Sequence, residues 1–486
     1  MRLVDSRLRF SATDLSNFLG CRHRAALEMG AARGRHERPV RNDPLLAILF
    51  ARGLEHEKAY VDSLRPEAPV ILDLSEEKDA GAAFAMTVEG MRAGADAILQ
   101  AGLRHGRWQG RPDVLRRVPE ESELGAWSYE IVDTKLARET RAGTILQLGL
   151  YSEMLEPAQG RRPEFFTVIA PGEGGRHVYR TDDYAAYFRQ VRAQLEAIAD
   201  DDDVVLAAAH YPEPVEHCDV CPWYARCSAK RRRDDHLSIV AGISRMQRDE
   251  LEALGITTLE ALAHVPVPLA IRPKRGALDT YLKVRAQARL QLESRGLLWP
   301  LHELRGLEEG RGLARLPEPS PGDVFLDLEG DSFARDGGRE YLFGVVTVDA
   351  AGAPAYRAYW ALTDAEERAA FELVMDLIAQ ASQAHPGMHV YHYAPYEPSA
   401  FKRLMGRYAT RVDELDELLR AERFVDLYGV VRQALLAGIE RYSIKNLEAL
   451  YGFTRAVELA DASRNLRRME QALELGCGAA IASEVR

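Results

Sequence analysis

Asp133 and Lys135 stand two residues apart in Tyr129-Glu130-Ile131-Val132-Asp133-Thr134-Lys135. In a strand they share a face, so a carboxylate and an ammonium group point the same way. Such a pair at a strand end can hold a metal ion and position a water. A second carboxylate, Asp113, follows a proline in Gly110-Arg111-Pro112-Asp113. Proline cannot donate to a sheet ladder and favours strand ends or bulges, so Asp113 is expected where a sheet edge opens. Gln147 and Tyr151 lie four apart on a helix and share a face. His56, in Gly53-Leu54-Glu55-His56-Glu57, reads either as a metal ligand or as a polar residue at a helix edge.

Thiols form a second set. Of five cysteines, Cys218, Cys221 and Cys227 crowd one short segment, with Cys21 and Cys477 far away in sequence. In a large chain this crowding suggests metal ligation more than a disulfide framework. Three thiolates need a fourth for a tetrahedral zinc site or an iron–sulfur cubane, and spacing alone does not separate the two.

A third set is Asp327 and Glu329 in Val324-Phe325-Leu326-Asp327-Leu328-Glu329. These carboxylates alternate with apolar residues on one strand, and two of them ending a central strand are unusual unless they hold cations. Glu397, in Ala394-Pro395-Tyr396-Glu397, follows a later strand.

Elements to position these groups can be read from the chain. A capped helix opens at Ser11-Ala12-Thr13-Asp14 and is expected to carry Cys21. A second helix spans about 44 to 64. A hairpin covers 97–118, strands cover 129–135 and 164–170, and a helix runs from 183 to 199. Leu251 to Leu262 reads as helix, Gly-containing turn, helix, resembling a helix–hairpin–helix. Pro317 to Pro321 is a linker, and beyond it come strands at 323–331, 341–348 and 388–393.

At 486 residues two or three domains are expected. A hydrophobic fraction of 47% and a charged fraction of 28% are those of a globular protein. Met1 to Phe10 has no apolar run of the signal-peptide kind, and no stretch approaches a membrane span, so a cytoplasmic location is expected. The net charge of −11 excludes a uniform basic coat but allows local basic patches such as Lys230-Arg231-Arg232-Arg233.

The order Gly53-x-x-His56, Gly110-x-x-Asp113, Asp133-x-Lys135, Gln147-x-x-x-Tyr151, with one Cys before and three after, resembles the RecB-like branch of the PD-(D/E)XK nucleases. It is similar in particular to the iron–sulfur members, such as the CRISPR-adaptation nucleases. The resemblance covers roughly residues 10 to 232. It implies a restriction-endonuclease-like α/β domain in which His56, Asp113 and Asp133 hold Mg²⁺ or Mn²⁺. Lys135 would activate the attacking water, while Gln147 and Tyr151 contact DNA or support the site. It also implies that Cys21, Cys218, Cys221 and Cys227 bind a structural [4Fe–4S] cluster. The chemistry is consistent, since a divalent metal both neutralises phosphoryl charge and generates hydroxide near neutral pH.

The later segments resemble an RNase H-like 3′–5′ exonuclease of the DEDD type, with Asp327, Glu329 and Glu397 as a second metal site. That family's final Tyr/His-x-x-x-Asp motif is absent beyond Gly452, so this α/β domain is expected to be incomplete. No Gly-x-x-x-x-Gly-Lys-Ser/Thr phosphate loop occurs, which suggests a truncated or split member with a helicase on a separate chain. The expected organisation is a nuclease domain over 1–232, a helical linker over 233–316 and the RNase H-like domain over 317–486. The expected activity is metal-dependent DNA hydrolysis, from single-stranded or free ends, in repair, recombination or mobile-element defence. The alternative is a nucleic-acid-binding accessory subunit whose sites are degenerate.

Overall fold

The computed structural model describes the chain save residues 41–43, 138, 173, 271, 332–333, 335–336, 350, 479–480 and 482–486. It divides into two units, Met1–Lys230 and Arg231–Arg486. Among the described residues no helix is long and apolar enough to cross a membrane.

The first unit is built on six strands: β1 (Ile71–Asp73), β2 (Ala97–Leu99), β3 (Val114–Val118), β4 (Ser128–Thr134), β5 (Phe165–Ile169) and β6 (Arg176–Arg180). They lie side by side in the order β6-β5-β4-β3-β2-β1. β3 and β4 pair antiparallel, and β4 and β5 pair parallel. β4 is interior, with Tyr129, Ile131 and Val132 buried on its two faces. Tyr129 and Ile131 enter one buried cluster with Leu146, Leu150 and Phe188. Val132, on the opposite face, packs with Val61, Leu64 and Val114. Helices α3 (Pro44–Leu64) and α4 (Ala142–Gln159) supply these two coverings.

The hairpin expected at 97–118 is present as two nested pairs. β2 pairs with β3, and Leu103–His105 pairs with Trp108–Gly110 inside them. Two expectations are corrected. Asp113 precedes β3, which is an interior strand and not an edge. Cys21 is not within a helix: α1 (Ala12–Gly20) ends before it and α2 (Arg22–Ala32) starts after it, with Cys21 extended at φ −164° and ψ 112°. A close approach accompanies the break, since a Cβ on Gly20 would lie 3.1 Å from the His217 ring. The capping arrangement at Ser11 is as expected, its N–H donating to Asp14 Oδ2 at 2.8 Å.

The second unit begins with the helical segment expected to be a linker. The helix Tyr224–Arg233, α5, leads into α6 (Arg245–Ala253), α7 (Leu259–Ala263) and α8 (Leu278–Glu293). Leu237, Leu251, Leu262, Tyr281 and Ala288 give this segment a core of its own. The α6–α7 turn contains Gly255 at φ +80°, the left-handed conformation that glycine adopts without penalty.

A five-stranded sheet follows: β7 (Val324–Asp331), β8 (Arg339–Val348), β9 (Pro354–Trp360), β10 (Val390–His392) and β11 (Phe424–Asp426), in the order β9-β8-β7-β10-β11. β7–β8–β9 are antiparallel, and β10 and β11 run parallel to β7. Val324, Leu326 and Leu328 face a core shared with Phe371 and Met375 of α9 (Asp364–Ala384) and Phe401 of α10 (Tyr396–Tyr408). Alternation therefore turns Phe325, Asp327 and Glu329 to the other face. Helices α11 (Leu427–Ala434), α12 (Ile444–Tyr451) and α13 (Leu459–Glu474) follow β11 in the chain.

Candidate active sites

In the first unit, Asp133 sits at the end of β4 on the α4 side and is 1% exposed. Lys135 Nζ pairs with its Oδ2. Oδ1 has no hydrogen-bond partner among the described residues. A buried carboxylate oxygen left without a partner is costly, and a cation is the natural remedy. Burial, and secondarily the charge of Asp113, pushes the Asp133 carboxyl up to about 7 despite Lys135. Asp113 is held from the backbone side: Thr134 N–H and Oγ1–H donate to its Oδ2 at 2.7 and 2.8 Å.

Gln147 Nε2 donates to Tyr151 Oη at 3.3 Å, so the shared helix face is real. Burial, then Asp133, raises the Tyr151 phenol. Gly110 lets this ring approach the strand, since a Cβ there would collide with it. His56 bonds the Ile169 carbonyl through Nε2 at 3.0 Å. It is the adjacent Glu57 that couples electrostatically to Asp113, Asp73 and Lys135, and burial raises its carboxyl. Gln100 bridges the two acids, donating to Glu57 Oε1 at 2.6 Å and to Asp113 Oδ1 at 3.3 Å. Its φ of +49° is uncommon for a residue with a side chain. Sequence reasoning missed both Glu57 and Gln100. A Glu beside a candidate His was visible, but which of two neighbours on a helix faces the site was not.

The expected four-cysteine cluster is not seen among the described residues. Burial raises the Cys21 thiol, with Cys218 adding to the effect, and Cys221 is raised by burial and by both of the others. Cys21 Sγ accepts from Arg24 N at 3.4 Å and Cys218 Sγ from Val215 N at 3.4 Å. Cys227 lies in α5 and is half-buried; Cys477 is exposed. All are free thiols, and among the described residues their sulfurs form no group tight enough for a single ion. Zinc–sulfur bonds of about 2.3 Å would require such a group.

In the second unit, Asp327 and Glu329 share the open face of β7, with a register shift between Glu329 and Gly330. Gly330 is required there, because a Cβ would meet the Glu340 carboxylate and the Tyr396 hydroxyl. Burial raises both Asp327 and Glu329, and Lys445 of α12 opposes this for each. Glu397, in the first turn of α10, is 3% exposed, and its Oε2 has no hydrogen-bond partner among the described residues. Burial, then Asp327, Asp426 and Glu340, pushes its carboxyl up to about 7. His392 Nδ1 lies 3.6 Å from that oxygen. Ala394, at φ +75°, donates its N–H to Asp426 Oδ1 at 2.9 Å and so ties the Glu397 loop to β11. Asp426 and Lys445 are the additions here. Only the parallel β10–β11 pairing brings Asp426 to Glu397.

Residues 324–469 match the family model of the RNase_H superfamily. No curated protein matches the chain. The second unit therefore contains an RNase H-like domain, of a type that processes nucleic acids as a nuclease.

Proposed function

We propose that this chain is a metal-dependent deoxyribonuclease that hydrolyses phosphodiester bonds, acting on single-stranded or free DNA ends through its RecB-like first unit. The observation that carries this reading is the Asp133 carboxylate, buried with one oxygen unpartnered while Lys135 pairs with the other. Asp113, Asp133 and Glu57 would hold Mg²⁺ or Mn²⁺, with His56 beside them. The bound ion would neutralise phosphoryl charge and lower the pKa of water. Lys135 is placed to stabilise negative charge that develops during the reaction, in a site from which bulk water is largely excluded. The Thr134 and Gln100 hydrogen bonds fix Asp113 before any substrate arrives. Tyr151 and Gln147 form a wall against which a nucleotide can rest.

Asp327, Glu329, Glu397 and Asp426 form a second candidate metal site, to which the RNase H-like fold lends support. Its donors are all carboxylates, the set preferred by Mg²⁺ and Mn²⁺. We infer also that Cys21, Cys218, Cys221 and Cys227 hold an iron–sulfur cluster of structural role. Support comes from the order of one cysteine before and three after the nuclease motifs in the sequence.

The test is cleavage of single- and double-stranded oligonucleotides with Mg²⁺ or Mn²⁺ by the wild type, Asp113→Ala and Asp327→Ala. Activity retained in full by Asp113→Ala would remove the first site from the reaction.

A further inference from the structure

Within the second unit, a cavity of about 380 Å³ opens between the α6–α8 segment and the RNase H-like domain. Its lining includes Lys283, Arg305 and Arg432 and contains no carboxylate. That is unusual in a chain with a net charge of −11. The Arg305 guanidinium makes no ion pair among the described residues, and Arg432 instead stacks on Tyr428, 5.7 Å from its ring centre. Lys283 is held by Asp279 at 2.7 Å, outside the lining. Gly242 makes room for Arg432, since a Cβ there would stand 3.2 Å from Nη2.

The neutral part of the lining is also donor-rich. Ser244 caps α6, and the first-turn amides of Arg245 and Met246 have no carbonyl acceptor within the helix. Ser244 and Met246 both line the cavity. Helix N-terminal amides together with guanidinium groups are the donor set that receives a phosphate oxygen.

We propose that this cavity binds a backbone phosphate of a nucleic-acid strand whose neighbouring nucleotides reach the Asp327–Glu397 face. A short run of contacts joins the two places. Tyr442 lines the cavity and donates to Gln287 Oε1 at 2.7 Å, while its carbonyl accepts from the Tyr393 hydroxyl. Tyr393 meets Tyr428 edge-on at 5.5 Å, and the Tyr428 N–H donates to Asp426 Oδ1 at 2.9 Å. Lys445 lies three residues after Tyr442, in the first turn of α12. The α6–α7 turn at Gly255, the part of this segment that resembles a helix–hairpin–helix, is not in the lining.

The proposal rests on the nucleic-acid reading of this unit but not on cleavage, so it is tested without metal. A short labelled oligothymidylate is titrated with the full chain in EDTA, and binding is followed by fluorescence anisotropy over a range of salt concentrations. Arg305→Gln and Arg432→Gln should each weaken binding about tenfold near 0.1 M salt and lower the salt slope by about one. Arg305 carries no side-chain hydrogen bond or ion pair, so its variant should keep the wild-type melting curve. If the wild type binds no oligonucleotide, the nucleic-acid reading itself fails. If it binds and both variants match it in affinity and slope, this cavity alone is ruled out. A parallel titration with inorganic phosphate separates the sources: loss of phosphate binding with unchanged oligonucleotide affinity would make this a free-anion site and overturn the proposal.

Discussion

The two carboxylate sites are alike in what burial does to them and different in what balances it. Each places an acid at or just past a strand end, leaves one buried oxygen without a partner, and pushes that carboxyl up to about 7. Each is also buttressed by a residue with a side chain at positive φ, Gln100 in the first and Ala394 in the second. In the first site a lysine is paired directly with the buried acid. In the second, Lys445 acts on Asp327 and Glu329, while a histidine lies nearest the buried Glu397 oxygen. The first is a compact acid–base pair on one strand. The second spreads four acids over β7, α10 and β11.

This contrast can be broken most sharply at Lys135. Lys135→Ala should lower Mg²⁺- or Mn²⁺-dependent cleavage about 10³-fold, the scale of removing one preorganised charge-stabilising donor. Visible absorbance near ~400 nm from the proposed cluster should survive that change and be lost in Cys21→Ser. Asp327→Ala should cost less than about tenfold on the same substrates, under about 1.4 kcal/mol of barrier. A larger loss would shift the chemistry to the second unit.

Next comes pH. The folded Asp133 carboxyl lies at about 7 and its unfolded counterpart near 3.9, so the folded state holds its proton more tightly. Metal-free stability from this group therefore falls as pH rises from about 4 to 7. The loss amounts to roughly 4 kcal/mol at most. The melting temperature of metal-free Asp133→Asn should decline less over that window. Mn²⁺ affinity of the wild type, measured by titration calorimetry, should rise with pH up to about 7 and then level off, because the ion requires the ionised carboxylate. The smallest effect is expected for Ala394→Gly, which removes the cost of a left-handed alanine and should stabilise the fold by about 1 kcal/mol in a denaturant titration.

Much of the first site was legible because its signals are local. The i, i+2 spacing of Asp133 and Lys135 and the i, i+4 spacing of Gln147 and Tyr151 survive folding unchanged. Tyr129, Ile131 and Val132 marked a strand in the sequence, and the structure carries the acid at its end into the interior. Glu57 was not legible, since adjacent helical residues point about 100° apart and only the packing of α3 decides which one turns to the site. Gln100 was hidden because its role depends on a backbone conformation, not on its type. In the second unit the family match covers residues 324–469 and runs into α13. What departs from the expected pattern there is the acid inventory. Asp426 joins it only through a parallel strand pairing that no short-range spacing can announce.

The extended residue at Cys21 has a consequence in chain entropy. The Gly20–His217 approach and the Arg24–His217 bond bring together positions separated by almost the whole first unit. A permanent bridge across that junction, joining Cys21 to Cys218 or Cys221, would close a loop of about 200 residues and deprive the unfolded chain of roughly 5 kcal/mol of freedom. Such a bridge would act on the disordered ensemble and touch no reacting atom. Its loss would leave the geometry at Asp133 intact while making the unit easier to open and to digest from the α1–α2 break inward.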